Sequence, residues 1–338
     1  MQEASTAARA GAGRRTSARA CSERTRAVVE RDRSDGSGAE ERRADAPGRE
    51  ADHRRGDNPR ETGEAEAAGA GGGEARGRWR RAGLELMDTA TRDELASRWA
   101  YRAGLEHAAA FRFRRLAERL RATRADPDLV ALAALAASQE HTHVALCCEI
   151  AARFGAAPTL EAEPIVSEVA PAGFALADRV LYEVVAFCRV TETANAVVVT
   201  AGADDIDDTH IRRAVRTILA DEVQHSRLGW RYLASHAPTD TQRAWLGRYL
   251  PAMLRGTLRT DLFEPGVIPG DEVTMQRFGT LPVAGRRDAF ITGMHEVLLP
   301  GLAAAGIEIE PAARYLDELE AKRAALSNRE DLKLGNGP

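Results

Sequence analysis

Two Glu-x-x-His pairs, Glu140/His143 and Glu222/His225, each sit inside a long helical stretch, and each follows a stretch with a lone candidate glutamate. Residues three apart on an α-helix lie on one face, so each pair aims a carboxylate and an imidazole at the same point. One such pair arises readily by chance in a chain with 29% charged residues. Two in matching contexts do not, and they require two helices that turn polar groups toward each other. The lone glutamates are Glu106 and Glu192; 140 − 106 gives 34 residues to the first pair and 222 − 192 gives 30 to the second. At about 1.5 Å per residue, fifteen residues of helix, a turn and fifteen residues back return an antiparallel helix to the same height. The chain reads as a twofold repeat of a helix with Glu followed by a helix with Glu-x-x-His.

Punctuation places these helices. The first spans about Thr91 to Arg124. Asp126-Pro127-Asp128, a cap followed by proline at the first helical position, starts the second, which ends near Gly155. A long crossover follows over Ala156 to Gly173, with Pro158, Pro164 and Pro171. The third helix spans about Phe174 to Ala201, and Asp204 to Asp208 turn and cap the fourth, which runs to about His236. Beyond it, helices are expected near Thr241–Leu262, Ala284–Ala305 and Pro311–Ser327, with a Pro/Gly-rich loop from Glu264 to Gly270. On the third helix Glu183 competes with Glu192. Nine residues at about 100° each put the two on nearly opposite faces, and the spacing to Glu222 favours Glu192.

Residues 1–86 are Arg, Ala, Gly, Glu and Asp, with Met1, Val28 and Val29 the only large apolar residues before Trp79. Such a segment buries no core and is expected to be disordered. It holds 18 Arg against 16 Asp plus Glu, which leaves the remainder at 29 − 35, or −6, an unfavourable balance for a nucleic-acid surface. Met87 is an alternative start, with the preceding segment a translated leader; only Lys322 and Lys333 are lysines against 45 arginines. About 250 residues remain, ample for one core. No run of about 18 apolar residues is evident, so no membrane span is expected. Cys21, Cys147, Cys148 and Cys188 form no Cys-x-x-Cys pair, which points to a reduced cytoplasm.

On Glu106, Glu140, His143, Glu192, Glu222 and His225, within roughly residues 88 to 236, the chain resembles the ferritin-like di-iron and di-manganese carboxylate proteins. The resemblance implies an all-α fold: a ferritin-like four-helix bundle with a long crossover at 87–238, C-terminal helices packed on it at 239–330, and a flexible tail at 331–338. It implies those six residues as ligands of two Fe, with Mn in one or both positions as the alternative. In the related di-iron oxygenases an acid before the second-pair Glu orients the opposite histidine, which here is Asp221 toward His143. Gln139 stands at the matching place before Glu140 and departs from that acid pattern, which leaves support of His225 in question.

Hard oxygen and imidazole ligands suit Fe or Mn, whose reducing equivalents act on O₂. The nearest expected activity is an O₂-dependent oxidase or oxygenase acting on a small organic molecule, with an external electron donor, no nucleic-acid or membrane partner, and an assembly that allows a homodimer. An iron-binding ferroxidase or peroxide-detoxifying protein is the second reading, and a non-catalytic ferritin-like scaffold the third. Some arylamine N-oxygenases carry a histidine one turn before the last-helix Glu, where this chain has Ile218. His107 and His141 read as surface or orienting residues, Tyr232 as a pocket or core residue, Cys147 and Cys188 as buried small hydrophobes, and His295 as a pocket candidate from the tail. Trp99, Phe113 and Phe187 line a cavity or fill the core.

Overall fold

Asp88 opens the first helix by accepting from Thr91 N at 2.9 Å and Thr91 Oγ1 at 2.6 Å, so α1 (Thr89–Ala122) starts two residues before the expected Thr91. The structure is a computed structural model that describes residues 87–257, 262–263 and 268–335, with side chains as far as Leu326. The expectations for residues 1–86, including Cys21, and for most of the loop after Glu264 lie outside the described residues.

The protein is all-α among those residues. Asp126 caps α2 (Pro127–Arg153) through Asp128 N at 2.9 Å, with Pro127 at the first turn as expected. After the crossover, α3 (Leu176–Ala203) follows, and then α4 (Thr209–His236), whose cap Asp208 accepts from the backbone N–H of His210 and Ile211. Arg153 at the end of α2 grips the same carboxylate with both terminal nitrogens, at 3.1 and 2.5 Å, and locks two helix ends together. Contacts run from α1 to α2, α2 to α4, α4 to α3 and from the start of α3 back to α1, which closes a ring of four helices. Leu95, Phe113 and Leu116 of α1, Ile150 of α2, Leu181 of α3 and Ile218 of α4 are fully buried. Each contributes about 1.5–3 kcal/mol of hydrophobic stabilisation.

Two features of α3 depart from expectation. By length and composition it is apolar enough to cross a bilayer, because Arg189 and Glu192 alone interrupt its long apolar run. It is the central helix of the fold instead, and most of that run is buried. Its middle, Val184–Thr191, is π-helical, ending where Glu192 begins. Val184, Val185, Val190 and Thr191 are β-branched and weaken the α-helical preference there. Such insertions are rare and cluster at functional positions.

The C-terminal part comprises α5 (Asp240–Thr257), α6 (Glu272–Arg277), α7 (Val283–Gly293), a second π segment (Met294–Leu298), α8 (Leu299–Ala304) and α9 (Glu310–Gly335). It packs on α3, chiefly through α5 and α7. The short α6, capped by Asp271, was not anticipated, being six residues beside a Pro/Gly-rich loop. It leads into Phe278-Gly279, where the Phe278 carbonyl accepts from Trp99 Nε1 at 3.2 Å. Gly279 has φ +84, and a Cβ there would lie 2.9 Å from the Trp99 ring, so glycine is needed on both counts. Residues 331–335, expected as flexible tail, continue α9: neither Gly nor Pro interrupts the chain before Gly335, a usual helix stop.

Candidate metal centre

Each of the four ring helices delivers acids to one buried point. Glu106 comes from α1, Glu140 and His143 from α2, Glu192 from α3, and Glu222 and His225 from α4; none is more than 4% exposed. They form two overlapping groups. Ligand atoms of Glu106, Glu140, His143 and Glu222 all lie within 4.8 Å of one another, and so do those of Glu140, Glu192, Glu222 and His225. The two glutamates of the Glu-x-x-His pairs therefore belong to both groups, while each lone Glu and each His belongs to one.

Hydrogen bonds behind the cluster orient both imidazoles. His143 Nε2 lies 3.0 Å from Asp221 Oδ2, and His225 Nε2 lies 3.1 Å from Gln139 Oε1. Gln139 Nε2 donates to Asp221 Oδ1 at 2.8 Å, joining the two. This network assigns a proton to each Nε2 and turns each Nδ1 toward the carboxylates. His143 Nδ1 is 3.2 Å from Glu140 Oε2, and His225 Nδ1 is 3.1 Å from Glu140 Oε1. The Asp221–His143 contact is as expected. Gln139 does support His225, and the departure from an acid costs nothing there: the amide oxygen accepts from one side while the amide nitrogen satisfies Asp221 on the other. Asn195, one turn beyond Glu192, donates to Glu222 Oε1 at 2.6 Å, a contact that sequence spacing did not single out.

Packing these acids without counter-ions is unfavourable. Burial pushes the Glu106 carboxyl up to about 8 even though Arg102 Nε donates to it at 2.8 Å, and burial with the neighbouring Glu222 pushes Glu192 well above its usual range. Burial opposes charge on Glu140 and His225 as well, but hydrogen bonds from His143 and His225 bring Glu140 down to about 2, and Glu140 with Glu222 brings His225 up to about 10. At the centre, Glu222 Oε2 is buried with no hydrogen-bond partner. An orphaned acceptor in a closed, acid-rich cluster fits bound cations, and carboxylate with imidazole is the donor set of Fe, Mn or Zn.

The remaining candidates fall elsewhere. Glu183 is fully buried against Arg115 at 2.8 Å and Arg119 at 2.9 Å, away from the cluster, so Glu192 is the acid that α3 contributes. His107 contacts the Glu161 carbonyl, and His295 lies 4.0 Å from Asp317 on the tail and does not reach the cavity described next. Tyr232 stacks on His236, and Cys147 and Cys188 are buried core residues whose thiols burial keeps protonated. Phe113 packs 4.8 Å from the His225 ring. Ile218 is fully buried, in the place where some arylamine N-oxygenases carry a further histidine.

A cavity of about 690 Å³ opens onto Glu106, Glu140, Glu192 and Asn195. Trp99 and Phe187 line it, together with Leu262, Leu281 and Phe290 from the C-terminal part. The residues after His236 thus form one wall of the cavity. Comparison of the chain with protein-family models, with curated proteins and with solved structures returned no match.

Proposed function

We propose that the protein is a ferritin-like, carboxylate-bridged dinuclear metal oxidoreductase that uses O₂ to oxidise a small organic molecule. The observation that carries this reading is the sharing of Glu140 and Glu222 by two overlapping ligand groups, each completed by one further Glu and one His. Glu106 and His143 would hold one ion, Glu192 and His225 the other, and Glu140 with Glu222 would bridge them. Four carboxylates balance two divalent charges. Two Fe ions are the proposed occupants, with Mn the alternative; when bound, the pair supplies two reducing equivalents to O₂ and an external donor restores them.

The chain's own residues do the rest. Asp221 and Gln139 hold the imidazoles in the tautomer that ligates, and partners of this kind commonly matter tenfold to a hundredfold in metal affinity. Asn195 fixes Glu222 Oε1 through its 2.6 Å hydrogen bond. Trp99, Phe187 and Phe290 keep water away from the acids and receive the apolar part of a substrate. A ferroxidase or peroxide-detoxifying protein has no use for a cavity of about 690 Å³ beside its cluster, which favours the organic-substrate reading.

The test is to load the protein anaerobically with Fe(II) and mix it with O₂ in an oxygen electrode. Rapid uptake of about one O₂ per two Fe, absent in His143→Ala and Glu222→Ala, is expected. Uptake that is unchanged in both variants refutes the site, and uptake of hundreds of Fe per chain establishes storage instead.

A further inference from the structure

The wall of the cavity carries a cation whose nearest acid is already hydrogen-bonded to two other arginines. Three arginines of α1 surround the buried Glu183 carboxylate. Arg115 and Arg119 bond to it at 2.8 and 2.9 Å, and Arg119 also binds Glu168 at 2.6 Å. Arg112 comes no closer than 4.0 Å, and its Nη1 is buried without a hydrogen-bond partner. It is also the one of the three that lines the cavity, with its guanidinium 5.4 Å above the Phe187 ring. Burial, then the neighbouring positive charges of Arg115 and Arg119, hold its basicity below the ordinary value despite Glu183. Of the other arginines on this wall, Arg98 is tied to Glu94 at 2.6 Å, Arg102 donates through Nε to Glu106 at 2.8 Å while its Nη2 is also without a hydrogen-bond partner, and Arg286 lines the wall from the C-terminal part.

We propose that the cavity takes an organic carboxylate, with Arg112 binding the carboxylate group and the apolar body reaching the metal cluster. This specifies the substrate class of the site under the function proposed above. The geometry supports it. Arg112 lies six residues beyond Glu106 on the same helix, about 9 Å along its axis and about 120° round it, and both residues line the cavity. That axial distance is the length of a chain of six to eight carbons or of a substituted aromatic ring. The cavity lining also includes Ala109, Phe187 and Val198, which suit an apolar body. Guanidinium is well suited to this task because its fork matches a carboxylate through two parallel hydrogen bonds. Loading the cluster sharpens the preference: two divalent ions cancel the four glutamates, and the wall then presents net positive charge to the cavity.

The test measures binding, so it stands apart from O₂ chemistry. Octanoate, 4-phenylbutyrate and benzoate are titrated against their primary amides by calorimetry, using metal-free and Zn(II)-loaded full-length protein, with Arg112→Gln and Arg112→Lys beside wild type. At least one acid should bind wild type tenfold or more tightly than its amide. Arg112→Gln should remove that difference while leaving amide binding unchanged, and Arg112→Lys should restore part of it. Thermal melting of Arg112→Gln should not fall, because the change removes a buried cation from beside two others; a purely structural arginine would lower it. If no acid outbinds its amide, or if the preference survives Arg112→Gln, the proposal is overturned. Acid binding in metal-free protein that takes up no Zn(II) would refute the metal centre and leave the carboxylate pocket standing, and the reverse pattern would do the opposite.

Discussion

Replacing Glu106 by Gln should stabilise the metal-free protein at neutral pH while removing a ligand. Burial raises the Glu106 carboxyl from an ordinary 4.5 to about 8, so the folded chain holds a proton there that the unfolded chain releases above 4.5. A group raised in this way stabilises fully below 4.5, and the contribution is lost as pH rises toward 8. Two and a half pH units separate 4.5 from pH 7, at about 1.4 kcal/mol each, so the ionisable acid costs about 3 kcal/mol at pH 7 relative to a neutral isostere. Gln supplies that neutral form, and its amide oxygen can still accept from Arg102. For a folded domain of roughly 250 residues the gain corresponds to about 6–12 °C in melting temperature. The assay is urea unfolding of chelator-treated protein at pH 5 and pH 7. The variant should lead wild type by about 3 kcal/mol at pH 7 and by under about 1 kcal/mol at pH 5. An equal lead at both values, or none at pH 7, would refute the argument that acid crowding strains the empty cluster.

Metal binding should release protons, because His225, held near 10, and Glu106, held near 8, carry them at pH 7 in the metal-free protein; a dye-coupled titration should count about two or more per chain, and affinity should weaken as pH falls from 8 to 6. Asp221→Asn should keep the fold but weaken metal affinity by roughly tenfold to a hundredfold, since it disturbs the partner of His143 Nε2, as measured by competition with a chelator. Unchanged affinity would deny Asp221 its orienting role. Gly229→Ala should cost about 1–3 kcal/mol in urea unfolding, because a Cβ there collides with the side chain of Arg189, which is buried and donates to the Ser226 carbonyl and hydroxyl.

The helices and their ligands are legible because they rest on local rules. Asp126-Pro127 and Asp208 cap where a cap is needed, and Glu-x-x-His aligns its two groups through helical geometry alone. The offset of nine between Glu183 and Glu192 lets only one face inward, and the spacing to Glu222 selects Glu192. What the sequence hides depends on partners distant along the chain. Gln139 looks like a gap in an acid pattern until its amide is seen spanning His225 and Asp221. Asn195 acquires meaning from Glu222 on another helix. The π segment leaves no sharp signature beyond its β-branched residues, and Arg112 is one of many arginines until Arg115 and Arg119 are seen to have taken Glu183.

The central claim is that Glu140 and Glu222 hold two ions together. Electron paramagnetic resonance of Mn(II)-loaded protein, alongside metal analysis by mass spectrometry, addresses it directly. Two Mn per chain with the spectrum of a spin-coupled pair is the predicted result, reverting to an isolated six-line signal in Glu192→Ala. One Mn per chain, or two with uncoupled six-line signals, would contradict the account.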